Sequence, residues 1–260
     1  MTNRLQHKVA LITGGTNGIG KATVHGLVRE GARVIFTGNN IEAGGQIAEE
    51  TGAMFIQHAV QDVAGWEVVK TAIREHFGRL DITFSNAGTN AGDSDIETVE
   101  VDAWKNLVDI NLTGMMLAFK SSIELMKTNP GQSSGSIILN SSINGFLALA
   151  GDVTYSTTKG ALRLLAKSAA VHLAKTGTGI RCNSIHPGVI ETPLIQSAIE
   201  GAPDPDAARA MLEGIAPVGR LGDMEEIVSL VIYLASEDSR FITGSEIIID
   251  GGSTAGLPGI

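Results

Sequence analysis

Two groups of residues in this chain could do chemistry. Tyr155-Ser156-Thr157-Thr158-Lys159, with Ser142 upstream, can move a proton to or from an alcohol oxygen; Thr13-Gly14-Gly15-Thr16-Asn17-Gly18-Ile19-Gly20 can hold the pyrophosphate of a dinucleotide. A free phenol titrates near ~10, too high for a base at neutral pH. Tyr155 and Lys159 are four apart on a predicted helix and share one face. The lysine ammonium, with the positive charge of an oxidised nicotinamide, is expected to favour the phenolate. Tyr155 can then take an alcohol proton as hydride leaves carbon, and return it in the reverse direction. Ser142 can hydrogen-bond the same oxygen and stabilise charge developing there. Each feature has a plainer reading alone: a solvated Tyr/Lys pair, a Ser-Ser turn, a glycine-rich bend. Their conjunction in this order makes coincidence the poorer explanation.

These groups need a scaffold, and the chain supplies alternating strands and helices. Lys8–Ile12, Arg33–Thr37, Ala53–His58, Asp81–Ser85, Ser136–Asn140, Ile180–Ile185 and Glu246–Asp250 read as strands. Gly18–Glu30, Glu42–Thr51, Gly65–Phe77, Val101–Thr128, Tyr155–Ala174 and Met224–Ala235 read as helices. Val9-Ala10-Leu11-Ile12 and Ile247-Ile248-Ile249 are continuously apolar, the mark of strands covered on both faces. The pattern predicts an α/β fold, a doubly wound parallel Rossmann-type sheet with right-handed crossovers. Residues 1–260 read as one dinucleotide-binding catalytic domain. Pro187–Pro217 is the one long irregular stretch, expected to be a functional lid over about 190–216.

Bulk composition sets further bounds. The 19 basic and 28 acidic residues give −9, which disfavours nucleic acid or an anionic membrane as partner. No secretory leader pattern opens the sequence and no apolar run approaches the ~20 residues of a membrane span, so a cytoplasmic location is expected. Cys182, the single cysteine, reads as a packed core thiol, and no Cys/His spacing suggests zinc.

The end of the second strand should choose between NAD and NADP. A carboxylate there accepts ribose hydroxyls and repels a 2′-phosphate; a guanidinium does the reverse. This chain reads Thr37-Gly38-Asn39-Asn40, with no cation at Asn17 either. Asn39 can still bond ribose hydroxyls. The balance favours NAD(H) over NADP(H).

These motifs resemble the classical short-chain dehydrogenase/reductase family over essentially the whole chain. The pattern continues with Asn86-Ala87-Gly88, then Asn111, the Ser142/Tyr155/Lys159 set, Pro187-Gly188 and Thr192. Asn3-Arg4-Leu5, Ser142-Ile143-x-Gly145-Phe146, Ile185-His186-Pro187-Gly188 and Thr243-Gly244-Ser245-Glu246 look like bacterial secondary-alcohol dehydrogenases. The 3β/17β-hydroxysteroid dehydrogenases are similar but looser. The resemblance implies that Asn111 holds a water linking Lys159 to solvent, and that the Ile190 main chain and Thr192 meet the nicotinamide carboxamide. Three departures stand out. NADP-using alcohol dehydrogenases carry Arg where this chain has Asn39. The usual acidic residue that meets adenine is Ala59, between His58 and Val60, leaving adenine to backbone groups. The usual Asn-Asn-Ala-Gly begins with Ser85.

The substrate pocket should be closed by Ser142-Ile143-Asn144, Phe146-Leu147 and the lid. Ser142-Ile143-Asn144 and Phe146-Leu147 are mainly apolar and none is basic, which fits a small hydrophobic alcohol or ketone. A carrier-bound ketone reductase would need a basic mouth, and a dinucleotide-sensing regulator would be expected to lose Tyr155 or Lys159. His186 reads as a structural hydrogen-bonder at a strand end. The family resemblance implies a homotetramer built through the two long helices, with Ser253–Ile260 expected to dock on a neighbour.

Overall fold

Val9–Thr13 (β1) is buried throughout, and its residues alternate between two cores. Ala10 and Ile12 enter one; Val9 and Leu11 enter the other. A strand covered on both faces must be apolar on both, which is why the run lacks the usual polar alternation. The computed structural model describes residues 3–131 and 133–256. A glycine turn leads from β1 into Gly18–Arg29 (α1). Arg33–Gly38 (β2), Ile41–Thr51 (α2), Met54–Gln57 (β3), Gly65–His76 (α3) and Ile82–Ser85 (β4) follow. Then come Val101–Val108 (α4), Gly114–Lys127 (α5), Gly135–Asn140 (β5), Val153–Lys175 (α6) and Ile180–Pro187 (β6). Pro193–Glu200 (α7), Pro205–Glu213 (α8), Met224–Ala235 (α9) and Glu246–Ile249 (β7) complete the chain.

The seven strands pair in parallel in the order β3-β2-β1-β4-β5-β6-β7. α1, α2 and α9 pack on one face through Val24, Leu27, Ile47 and Val231. α3, α5 and α6 pack on the other through Trp66, Ile73, Phe119 and Leu162. Chain progress across the sheet reverses between β1 and β4, opening a crevice at their C-terminal ends. This is the Rossmann-type fold expected from the sequence, with every predicted strand and helix present. Cys182 lies fully buried in β6. No helix among the described residues is long and apolar enough to cross a membrane.

Two expectations are corrected. The stretch read as irregular holds α7 and α8. Each starts on a side-chain cap followed by proline: Thr192 Oγ accepts from Ile195 N at 3.4 Å, and Asp204 Oδ1 accepts from Ala207 N at 3.0 Å. Proline in the first turn loses no helical hydrogen bond, so these prolines start helices rather than break them. The helix read as continuous over 101–128 contains a π-helical segment, Asp109–Thr113, between α4 and α5. At the C-terminus, Thr254 N and Oγ1 both donate to Asp250 Oδ2 at 2.8 Å. Residues 257–260, part of the tail expected to dock on a neighbour, lie outside the described residues.

Candidate active site

The glycine turn sits where β1 meets α1, beside the crevice. At Gly20 an added β-carbon would lie 2.1 Å from Gly14 O, so only glycine lets the helix begin so close to the turn. Asn86 fixes the turn: its Nδ2 donates to Thr13 O and Gly14 O at 3.2 Å. Thr13 Oγ1 accepts from the main chains of Asn86 and Ala87 at 3.0 and 3.1 Å.

The N-terminus of α1, like those of α3, α4, α5 and α6, has no side-chain cap from its own N-cap residue among the described residues. Asn40, Thr192, Asp204 and Asp223 cap their helices through their side chains. Asn17, at the N-cap of α1, makes no such bond among the described residues. The N–H groups of the first turn, through Gly18 and Ile19, are thus left to an outside acceptor at the positive end of the helix. Such a cradle fits a dinucleotide pyrophosphate.

The remaining predicted contacts gather around the same edge. Gly38 ends β2 against Thr16, and Asn39 beyond it is exposed. Val60 follows β3, its carbonyl held by Trp66 Nε1 at 2.9 Å. Gly88 follows β4, and an added β-carbon there would lie 3.6 Å from Lys159 Nζ. Gly188, after Pro187, donates to Ile249 O at 3.0 Å. Ile190 bridges to Gly222, and Thr192 reaches back over the turn, its methyl 3.9 Å from where a side chain on Gly18 would begin.

Ser142, Tyr155, Lys159 and Asn111 also converge. The Ser142 hydroxyl lies near enough to the Tyr155 oxygen to favour its phenolate. Lys159 Nζ lies 5.3 Å from the Tyr155 ring centre and donates to Asn140 O at 2.8 Å. Asn111, inside the π segment, receives Thr89 N at 2.9 Å and donates to Thr89 O at 2.7 Å and Thr158 Oγ1 at 3.3 Å. Ser142 opens a short 3₁₀ turn, Ile143–Gly145, and its hydroxyl accepts from Asn144 N at 3.1 Å. Ile143 is buried, and the Phe146 ring turns inward onto Arg163 and His186. A cavity of about 730 Å³ adjoins the start of α6; Ile96, Phe146, Leu149 and Val153 line it together with the carboxylates Asp95 and Glu97, none of its lining residues is basic, and neither Ser142 nor Tyr155 is among them.

Electrostatics refine the expectation for the phenol. Burial pushes the Tyr155 hydroxyl above its ordinary value, the nearby Ser142 hydroxyl pulls the other way, and the nearby Asp152 charge adds to the rise. Burial likewise drives the Lys159 ammonium down to about 8. Desolvation therefore outweighs the help Ser142 gives to the phenolate, and both Tyr155 and Lys159 are held toward their neutral forms by burial. Burial also pushes the Cys182 thiol up to about 12, as suits an inert core residue.

The sequence reading missed the supports of this group. Asp93 lies far from Tyr155 in the chain, yet its carboxylate accepts from Thr154 N at 3.1 Å and Tyr155 N at 2.7 Å. Arg163, one turn beyond Lys159, holds the Ser142 turn by donating to Gly145 O at 3.0 Å. Nothing in the local spacing marks Asp93; Arg163, four residues after Lys159, could have been found by following that helix face.

Comparison with known proteins matches this arrangement to others along its length. A family model described as enoyl-(acyl carrier protein) reductase matches residues 14–254. The chain is 39% identical to the NADP-dependent (R)-specific alcohol dehydrogenase of Lentilactobacillus kefiri, covering 98% of this chain and 100% of that one. It is 37% identical to the 3-beta-hydroxysteroid dehydrogenase of Comamonas testosteroni, over 96% and 97% of the two chains. It is 34% identical to the trans-4-hydroxycyclohexanecarboxylate dehydrogenase of Sinomonas cyclohexanicum, over 98% and 96%. Kinship of this extent shows that the chain belongs to the short-chain dehydrogenase/reductase family of nicotinamide-dependent oxidoreductases.

Proposed function

We propose that this chain interconverts a hydrophobic secondary alcohol and its ketone, with Tyr155 as the acid/base and NAD(H) favoured over NADP(H). The observation that carries the reading is the convergence of Ser142, Tyr155 and Lys159 at the strand edge that also carries the glycine cradle. The nicotinamide cofactor supplies the hydride acceptor in oxidation and the donor in reduction. Gly14, Thr16, Gly18, Ile19 and Gly20 would hold its pyrophosphate, Gly38 and Asn39 its ribose, Val60 its adenine. Asn86, Ala87, Gly88, Pro187, Gly188, Ile190 and Thr192 would line the rest of its bed.

In oxidation the Tyr155 oxygen takes the alcohol proton while Ser142 Oγ holds the substrate oxygen in place. Lys159, charged, lowers the energy of the phenolate that accepts that proton. Asn111, already bonded to Thr89 and Thr158, would steady the path by which Lys159 exchanges protons with solvent. Residues 1–260 act as one catalytic domain, with α7 and α8 forming the lid over about 190–216. The relative named for a steroid alcohol supports a neutral hydrophobic substrate, and the relative named for hydroxycyclohexanecarboxylate supports a secondary alcohol on a ring. The assembly proposed is a homotetramer.

The reading is tested by oxidising a panel of cyclic and aryl secondary alcohols with NAD⁺ and NADP⁺ in parallel, following reduced nicotinamide by absorbance. Turnover is expected, and Tyr155→Phe should keep cofactor binding while losing on the order of 10²- to 10⁴-fold in kcat. Undiminished turnover by Tyr155→Phe would sink the mechanism. Cofactor binding without turnover on any alcohol would favour a dinucleotide sensor.

A further inference from the structure

The Ser142 hydroxyl can hold a substrate oxygen only if its own main chain is fixed. Ser142 lies at the edge of a short turn, in extended backbone, with no regular element of its own to hold it. Its carbonyl receives two N–H groups. One is local, Gly145 N at 3.1 Å within the turn. The other comes from the neighbouring strand: the His186 Nδ1 lies 3.2 Å away, at the end of β6.

We propose that His186 is a positioning residue for the reaction, its imidazole holding the Ser142 carbonyl so that the Ser142 hydroxyl meets the substrate oxygen beside Tyr155. This rests on the reading of Ser142 and Tyr155 given above. The hydrogen-bond chemistry assigns the tautomer. A carbonyl oxygen only accepts, so Nδ1 carries the proton. Nε2 is then the acceptor, and Ser184 Oγ, 2.9 Å from it, is the donor. His186 and Ser184 are both fully buried. A second ring proton would turn Nε2 into a donor to Ser184 Oγ and leave the Ser184 hydroxyl proton seeking another acceptor in a dry site, and burial itself holds the imidazole below its ordinary value.

The ring is braced as well as bonded. Phe146 meets it edge-on at 4.8 Å, and the Arg163 guanidinium covers Phe146 at 3.8 Å. Arg163 is itself held by two bonds to Glu246 of β7, at 3.2 and 3.1 Å. On the other side, Ser141 Oγ donates to Lys159 O at 2.9 Å. The Ser142 turn is therefore tied to α6 through Ser141 and Arg163, and to β6 through His186. A displacement of about 1 Å in such a group can cost on the order of 10²-fold in rate. Removing the imidazole frees one of those ties and leaves a Ser142 lone pair without its donor.

The test is a double-mutant cycle on the intact enzyme, read in kcat and in the dissociation constant of the cofactor. His186→Leu should lower kcat about 10- to 100-fold with cofactor affinity unchanged. His186→Asn, which keeps a donor at the Nδ1 position, should recover most of the loss. In a Ser142→Ala background the same His186→Leu change should cost less than about twofold further, because it acts through a hydroxyl already gone. Ser184→Ala, which frees the ring to turn, should give a smaller loss that vanishes in the same background. If His186→Leu fails to fold, Ser184→Ala and His186→Asn carry the test. Losses that multiply in the Ser142→Ala background, or an Asn variant no better than Leu, would overturn the proposal while leaving the Ser142 role intact. A Ser142→Ala enzyme with full kcat would overturn both.

Discussion

Lys159 sets stability against function within one side chain. It is 3% exposed, and Nζ donates to the Asn140 carbonyl. Burial lowers its pKa from 10.5 to about 8. The unfolded chain therefore binds the proton more tightly than the folded one, and at neutral pH burial of the charge costs about 3 kcal/mol. The sign is that of a depressed lysine: the penalty is full below pH 8 and is relieved as pH rises from about 8 to 10.5. Lys159→Met should thus abolish turnover while raising stability at pH 7, by up to about 3 kcal/mol less the lost Asn140 contact. Urea unfolding at pH 7 and pH 10 checks it, the gain shrinking at the higher pH; a destabilised variant at pH 7 would mean that the ammonium is better solvated than its burial indicates. The other residue-scale prediction concerns the ribose. A carboxylate at Gly38 would make a poor probe, since an added β-carbon there meets Thr16 Cγ2 at 2.6 Å. Asn39 is exposed and free of that clash. Asn39→Arg should raise kcat/KM for NADP⁺ about tenfold with little change for NAD⁺. If the unaltered enzyme already prefers NADP⁺, the NAD reading fails.

At the scale of elements, α6 is held at its start by a residue from another loop. Asp152, its own N-cap residue, makes no capping bond among the described residues. Asp93 performs that role from outside through Thr154 N and Tyr155 N. Burial pushes the Asp93 carboxyl up, but the N–H donors of Tyr155, Thr154 and Ser94 together outweigh it and hold it below its ordinary value. A depressed acid contributes stability that is present above its unfolded pKa and lost as pH falls through its folded one. Asp93→Ala should therefore cost about 1–2 kcal/mol at pH 7, and the difference from the parent should shrink as the medium is acidified below the carboxylate range. Chemical unfolding across pH reads this directly; a pH-independent difference would mean that the loss is one of packing. This contact also marks the limit of what the sequence could tell. The central strands were legible because double burial writes itself as apolar runs; the edge strands β3 and β7, only partly buried, were legible from their short β-rich runs between helices. Tyr155, Lys159, Ser142 and the glycine turn were legible because their spacing is local. Thr192-Pro193 and Asp204-Pro205 are cap-and-proline starts that pointed to α7 and α8, yet the density of prolines led to an irregular reading. His186 was legible as a hydrogen-bonder at a strand end, though not its partner at Ser142; Asp93 and the π segment at Asn111 had no local signature, since Asp93 acts on residues far along the chain and a π segment leaves the apolar spacing of its helix almost unchanged.

At the scale of the whole molecule, the surface carries two apolar features that a lone chain has no use for. Leu164 and Val171, 70% and 54% exposed, are seven apart and share one face of α6. Phe241 is fully exposed just before β7, and Ile248 within that edge strand is 43% exposed. An uncovered edge strand with apolar neighbours invites pairing with another chain. One self-complementary patch closes a dimer; two distinct ones, related by perpendicular twofolds, close a tetramer without leaving an open end. The proposed homotetramer therefore makes a stepwise prediction. By light scattering coupled to size exclusion, the unaltered protein should run as four chains. Leu164→Glu with Val171→Glu should leave dimers joined through the β7 side, and Phe241→Glu should leave dimers joined through α6. Combining all three changes should give monomers, because a buried unpaired carboxylate at the centre of either patch outweighs the burial it replaces. An unaltered protein that runs as a single chain would end the tetramer proposal. A tetramer indifferent to all three changes would place its contacts on other faces.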